Sequence, residues 1–289
     1  MKIFHGMIPF TIPTTRLLNS STVVAISAGL RLHVAFLLAG IAPQIFEYMA
    51  FALIVYATYT LDRTLECKED SINRSELAGA DKKTGMIACI ATFMLGAGIL
   101  MHDGIYAAPL FPFIVGFIYT RGVRLGAFSL RLKAGAGIKN AIIGITWGGT
   151  IALIASRWCT SLVTVTVIFL FFVLKVFITS CVNDFKDVEG DMAAGIFTLP
   201  ACLGESLTKK VLILILLGSY GVMFYALLHA VIREEWILLT CGFFITFAFL
   251  LIYTSSFEQN SGVVYRKMRE FVISWESVVG LALRACIPG

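Results

Sequence analysis

Residues 162–191 read LVTVTVIFLFFVLKVFITSCVNDFKDVEGD, an apolar run over 162–182 whose single charge is Lys175, followed at once by Asn183, Asp184, Asp187, Glu189 and Asp191. A run of that length matches the roughly 20 apolar residues that carry a helix across the hydrocarbon of a bilayer. A helix is required there because a chain in lipid must satisfy its own backbone donors and acceptors. If the helix continues past Asn183, then Asp184, Asp187 and Asp191 follow an i, i+3, i+7 pattern and project from one face. The stretch therefore predicts a membrane span that ends in an acidic face.

The rest of the sequence agrees with a membrane solvent. Of the 289 residues, 58% are hydrophobic and 14% charged, against about 25% charged in a soluble domain. Apolar runs predict further spans at 20–41, 44–61, 85–101, 106–120, 138–156, 210–231, 236–254 and 270–287. The expected fold is all-α, a polytopic membrane bundle of about nine transmembrane helices in a single domain over 1–289. The seven cysteines are scattered singly, so they are expected to be reduced packing residues without zinc or disulfide spacing. The N-terminal MKIFHGMIPFTIPTTR is interrupted by prolines and threonines, unlike a cleavable signal. A net charge of +5 gives no reason to expect a nucleic-acid partner.

Basic residues set the expected orientation. Arg63, Lys68, Arg74, Lys82 and Lys83 follow the second span, and Arg121, Arg124, Arg131 and Lys133 follow the fourth. Lys186 and Lys209 follow the sixth, and Arg266, Lys267 and Arg269 the eighth, whereas the intervening loops hold only Arg157 and Arg233. The N-terminus and the two long polar loops, 62–84 and 183–209, are thus expected on the cytoplasmic side of a cell membrane.

The first of these loops carries its own cluster. Asp62, Glu66 and Asp70 recur every four residues, advancing about 40° per step on a helix. Charged loops are common in membrane proteins, and one acidic run is ordinarily just solvated. Two clusters on the same side, each following an apolar helix, ask for more, because close like charges repel and raise one another's pKa. A hard divalent cation relieves that repulsion. Mg²⁺ takes oxygen ligands and is usually shared between one or two carboxylates and substrate phosphates. The expected metal ligands are Asp62, Glu66, Asp70, Asp184, Asp187 and Asp191, set to stabilise a departing pyrophosphate above an apolar cavity.

The stretch from Asn183 to Pro200, NDFKDVEGDMAAGIFTLP, resembles the second aspartate motif of the UbiA superfamily of intramembrane prenyltransferases, DxxDxxxD followed by GIxTLP. Asp62, Glu66 and Asp70 resemble the family's NxxxDxxxD motif on its second helix, and Asn73 lies where that family often has an asparagine. The likeness is specific over about 60–75 and 183–204. Asp62 stands in place of the usual Asn and Glu66 in place of the middle Asp, and Ser75-Glu76-Leu77 replaces a P-x-R-P that often follows. The resemblance implies nine helices, Mg²⁺ as cofactor, and partners comprising a prenyl diphosphate and a small-molecule or lipid acceptor at the bilayer.

Within that frame Asp62 and Asp187 are expected to be catalytic through the metal. Arg63, Lys68, Arg74, Lys133 and Lys139 are candidate diphosphate-binding cations, each with the plainer reading of a positive-inside charge; Asn183 joins them at the substrate. Lys139 and Asn140 stand out because they begin an apolar span. Tyr119 closes the fourth span, either as a face for an allylic cation or as an interfacial belt tyrosine. Arg31 and His33 lie inside the first apolar run and either contact an acceptor or sit near an interface. Lys175 is expected to reach the cavity or to snorkel.

The expected activity is transfer of a prenyl group, through an allylic carbocation, to a membrane-associated acceptor, with an aromatic ring of quinone type as the first candidate. A terpene cyclase of the same family would ionise the same diphosphate without an acceptor. A divalent-cation transporter would instead place acidic residues along a path through mid-membrane.

Overall fold

The computed structural model describes residues 12–65, 77–121, 123–125, 128–130, 137–193, 195–252 and 276–287. Eight long helices follow in order: α1 (Ile12–Leu38), α2 (Ile45–Leu65), α3 (Lys82–His102), α4 (Ala107–Arg121), α5 (Ile138–Ala155), α6 (Leu162–Ala193), α7 (Leu199–Leu228) and α8 (Trp236–Ile252). A further helical stretch, α9, covers 276–286. Between α4 and α5, β1 (Val123–Leu125) and β2 (Phe128–Leu130) pair antiparallel, a small departure from a wholly helical chain. Among the described residues five helices are long and apolar enough to cross a membrane, and those over Ala107–Tyr119 and Trp236–Ile252 are shorter apolar helices.

The helices pack largely as sequence neighbours. Helix α1 lies on α2, α2 on α3 and α4, α4 on α5, α5 on α6, α6 on α7 and α7 on α8. The core is apolar, with Phe36, Phe51, Phe172, Ile54 and Ile151 fully buried. Ile87, Ile90, Met94 and Leu95 on α3 and Leu214 and Leu217 on α7 face outward, exposed. A bundle apolar both inside and outside is stable only with lipid around it, so this is an integral membrane protein.

Several boundaries differ from the sequence expectation. Helix α1 begins at Ile12 rather than 20 and α3 at Lys82 rather than 85, and α6 runs on to Ala193 rather than stopping at 182. Helix α7 starts at Leu199, not 210, with Pro200 in its first turn and a kink at Gly204, whose φ is +73°. Polar residues that read as loop are in each case end turns of long helices, which extend beyond the apolar run. Asp81 caps α3, accepting from the Lys83 amide at 3.0 Å and the Thr84 hydroxyl at 2.6 Å; these bonds hold its carboxyl below the usual range.

Lys175 neither reaches the main cavity nor snorkels. Its ammonium ion-pairs with Glu276 of α9 and donates to the Tyr220 hydroxyl of α7 at 3.1 Å. All three residues are buried, so the lysine ties α9 to α6 and α7 inside the bundle.

The closest backbone approach sits between α5 and α6. A Cβ at Gly144 would lie 2.6 Å from the Val173 carbonyl oxygen, and one at Gly148 2.7 Å from the Val173 nitrogen. Small residues four apart let two membrane helices touch through their backbones, and here they set the position of Lys139 at the head of α5. Gly148→Val is therefore expected to lower thermal stability in detergent by the equivalent of about 1–3 kcal/mol. Scanning fluorimetry that finds the variant as stable as the parent would show that this contact does not set the packing.

Candidate active site

One end of the bundle gathers the start of α1, the end of α2, the starts of α3 and α5 and the ends of α4 and α6. The Asp81 amide donates to the Thr14 hydroxyl at 2.9 Å there. A cavity of about 290 Å³ opens at this end, near the lower edge of the roughly 300–1,000 Å³ of small-molecule pockets. Its mouth is polar, formed by Asp62 and Arg63 of α2, Tyr119 of α4, Lys139 of α5, and Asn183, Asp184 and Asp187 of α6. Its depth is apolar and aromatic, lined by Phe51, Val55, Tyr59, Trp147, Ile151 and Val176.

The three α6 aspartates are not equivalent. Lys139 sits between two of them, 2.9 Å from Asp184 Oδ1 and 2.8 Å from Asp191 Oδ2. Asn140 adds a hydrogen bond from Nδ2 to Asp184 Oδ2 at 2.7 Å and one to Ser180 Oγ at 3.0 Å. Asp184 and Asp191 are 2% and 1% exposed, so their charges depend on protein partners, Lys139 for both and Asn140 for Asp184. Asp187 is half-buried, lines the cavity, and has no hydrogen bond or ion pair among the described residues. The Asn140 carbonyl oxygen is also buried without a donor among those residues.

Gly137 makes this placement possible. Its φ of +73° turns the chain into α5 just ahead of Lys139, a conformation that costs glycine least. On the opposite wall Arg63 donates to the Ser21 hydroxyl at 2.9 Å. Its guanidinium lies 5.4 Å from the centre of the Tyr59 ring. Tyr59 in turn stacks on Trp147, with ring centres 5.9 Å apart and planes 11° apart. The mouth thus joins carboxylates and cations to an aromatic floor.

The sequence matches a known family, and the helical arrangement resembles solved structures. The UbiA prenyltransferase family matches residues 23–273. The chain belongs to that family. Among solved structures, a UbiA homolog from Archaeoglobus fulgidus bound to GPP and Mg²⁺ superposes with a TM-score of 0.61 at 17% identity, over 93% of this chain and 98% of that one. The same homolog bound to DMAPP and Mg²⁺ gives 0.60 at 16% identity, over 95% and 100%. A UbiA homolog from Aeropyrum pernix K1 in its apo form gives 0.58 at 11% identity, over 90% and 98%. At these identities the likeness is one of fold. No curated protein matches the sequence.

In this UbiA-family chain, Asp62, Arg63, Tyr119, Lys139, Asn183, Asp184 and Asp187 all line one cavity. Tyr119 faces that cavity. Asp191 joins through Lys139. Glu66, Asp70, Lys68, Arg74 and Lys133 lie outside the described residues, and the Lys186 side chain is likewise not described. Among the described residues no three acidic, histidine or cysteine side chains converge as a ready metal cluster. Sequence reading missed Tyr59 and Trp147. The available signal was spacing: Tyr59 precedes Asp62 by three positions and Trp147 follows Lys139 by eight, which places each on the same helical face as its site residue.

Removing Lys139 leaves two buried carboxylates uncompensated, a change that costs about 3–5 kcal/mol when one partner of a buried pair is lost. Lys139→Met is expected to unfold at a clearly lower temperature, and adding Asp191→Asn is expected to recover part of the loss. A cycle of the two variants measured by thermal unfolding and showing simple additivity would rule out the pairing as a source of stability.

Proposed function

We propose that the chain transfers a prenyl group from a prenyl diphosphate to an acceptor held at the membrane, most simply an electron-rich aromatic ring, with Mg²⁺ as cofactor. The observation that carries this reading is Asp187, a carboxylate without a partner among the described residues that lines a cavity running from a charged mouth to an aromatic depth. The solved UbiA homologs bound to DMAPP or GPP with Mg²⁺ support it by analogy of fold.

The residues present suit a hard cation. Asp62 and Asp187 offer carboxylate oxygens from opposite walls of the cavity, the donor type that Mg²⁺ prefers, and these two would hold it. Glu66 and Asp70, on the continuation of the α2 sequence, are proposed to complete the α2 side. When bound, the metal supplies Lewis acidity towards the departing pyrophosphate. Lys139 and Arg63 add fixed positive charge at the mouth, where the diphosphate charge grows as the C1–O bond breaks and its electron pair leaves with pyrophosphate. Asn183 lines the same mouth and is proposed to orient the diphosphate.

The chain's aromatic residues serve the other half of the reaction. Tyr119, Tyr59 and Trp147 line the cavity, and aromatic rings stabilise a cation once water is excluded. The acceptor then attacks the allylic carbon, a new bond forms, and the acceptor loses a proton. Lys139 pairs with Asp184 and Asp191 and so keeps Asp187, the carboxylate proposed to face the metal, distinct from them. The mouth is proposed to face the cytoplasm, following the basic residues around it.

Release of pyrophosphate from geranyl and longer prenyl diphosphates, followed in detergent or nanodiscs, tests the proposal. Release is expected to require Mg²⁺ and an acceptor and to fall by about two orders of magnitude or more in Asp187→Ala, the scale of losing one electrostatic stabiliser of a transition state. Acceptor-independent release with a cyclic product would replace the transferase reading with a cyclase. Release that survives chelation of divalent metal would contradict both.

A further inference from the structure

The elbow between α6 and α7 holds apolar side chains outside the bundle by construction. The Ile196 amide donates to the Asp191 carbonyl at 2.8 Å and the Gly195 amide to the Met192 carbonyl at 3.0 Å. Gly195 has a φ of +72°, so these are the paired bonds that close a helix through a left-handed glycine. Beyond it Ile196, Thr198 and Pro200 are buried, and Phe197 between them is left outside, 54% exposed. Met192 before the turn is equally exposed, as are Leu203 and Leu207 on either side of the Gly204 kink. Large apolar side chains gathered on one outer surface mark a place that meets something other than water.

Continuity with the rest of α7 says what it meets. Leu207, Lys210, Leu214, Leu217 and Gly221 are all exposed and recur at alternating intervals of three and four residues, which is one face of a helix. The lipid-facing side of α7 therefore runs into the elbow, and Lys210 is the charge within it. Depth agrees. Lys210 lies ten residues from Tyr220, and Lys175, which donates to Tyr220, lies thirteen residues from Leu162 at the far end of α6. At about 1.5 Å per residue the levels of Leu162 and Lys210 are about 35 Å apart, slightly more than the roughly 30 Å of hydrocarbon in a bilayer. Lys210 thus stands at the edge of the headgroups, with the elbow just beyond it. Charge agrees as well. At this end of the bundle the exposed charged side chains among the described residues are Arg16, Lys82, Lys83 and Lys210 against Glu189, an excess that suits an anionic membrane surface.

We propose that the α6–α7 elbow is a contact for anionic phospholipid. Met192, Phe197, Leu203 and Leu207 lie among the headgroups and upper acyl chains, and the Lys210 ammonium meets a lipid phosphate. Lys209 pairs instead with Glu205 at 3.2 Å. The contact bears on the cavity mouth through the backbone, because the Asp191 carbonyl receives Ile196 while the Asp191 carboxylate pairs with Lys139. Lipid seated on the elbow braces the end of α6 from outside, as Lys139 does from within. None of this depends on the reaction catalysed.

The test places p-benzoylphenylalanine at Phe197 or at Leu207 of the full-length protein, in nanodiscs of equal phosphatidylcholine and phosphatidylglycerol. The same group at Leu214 serves as the reference for a lipid-facing position. After irradiation, mass spectrometry with peptide mapping identifies what each site has captured. Both elbow sites are expected to carry phospholipid, the anionic lipid exceeding the zwitterionic one by about fivefold, the scale of one basic residue near an anionic surface. Lys210→Gln is expected to bring that ratio towards unity. Capture of another segment of the chain at Phe197, or no lipid there while Leu214 is labelled, would overturn the bilayer contact. Equal capture of the two lipids by the parent, or a ratio that Lys210→Gln leaves unchanged, would overturn the assignment to anionic lipid at Lys210.

Discussion

A carboxylate on a membrane-crossing helix needs a cation within reach, and the division of that task organises one end of this protein. Lys139 meets Asp184 and Asp191 at 2.9 and 2.8 Å, with Asn140 holding the second oxygen of Asp184. That arrangement fixes the head of α5 to the end of α6, and the Gly144 and Gly148 contact with Val173 carries the same pairing down the helices. It leaves Asp187 as the α6 carboxylate turned to the cavity without a protein partner among the described residues. Paired and unpaired carboxylates thus stand side by side within a single motif.

The same accounting applies at depth. Lys175, Glu276 and Tyr220 form a buried polar group that anchors α9, and its charge nearly balances within itself. Arg31 lines the cavity that also holds Asp62 and Asp187. The aromatic wall of that cavity has Tyr59 stacked on Trp147 and approached by Arg63.

Much of this was legible in the sequence, for reasons specific to each element. Long apolar runs identify membrane helices because lipid admits few alternatives, and the i, i+3, i+7 aspartates identify a helical face because the period is fixed. Helix ends were less legible: the turn carrying Asp184, Asp187 and Asp191 looks like a loop by polarity, yet α6 continues through it to Ala193. Helix α7 begins at Leu199 and passes a kink at Gly204, a stretch interrupted by Pro200 and Gly204 and followed by Glu205, Lys209 and Lys210, so it does not read as part of a span. The pairing of Lys139 with Asp191 joins residues 52 apart, so only the folded packing reveals which aspartates it occupies. Tyr59 and Trp147 read as ordinary span aromatics until two walls bring them into contact.

The central claim is that Asp187 and Asp62 hold a divalent metal against a prenyl diphosphate in this cavity. Calorimetric binding of geranyl S-thiolodiphosphate, a donor analogue resistant to ionisation, tests it most directly when run with Mg²⁺ and with chelator on the parent and on Asp187→Asn. The account predicts one site per chain that needs Mg²⁺ and is weakened by at least about tenfold in the variant, or roughly 1.4 kcal/mol. Equal affinity with and without divalent metal, or an Asp187→Asn protein that binds as the parent does, would contradict it.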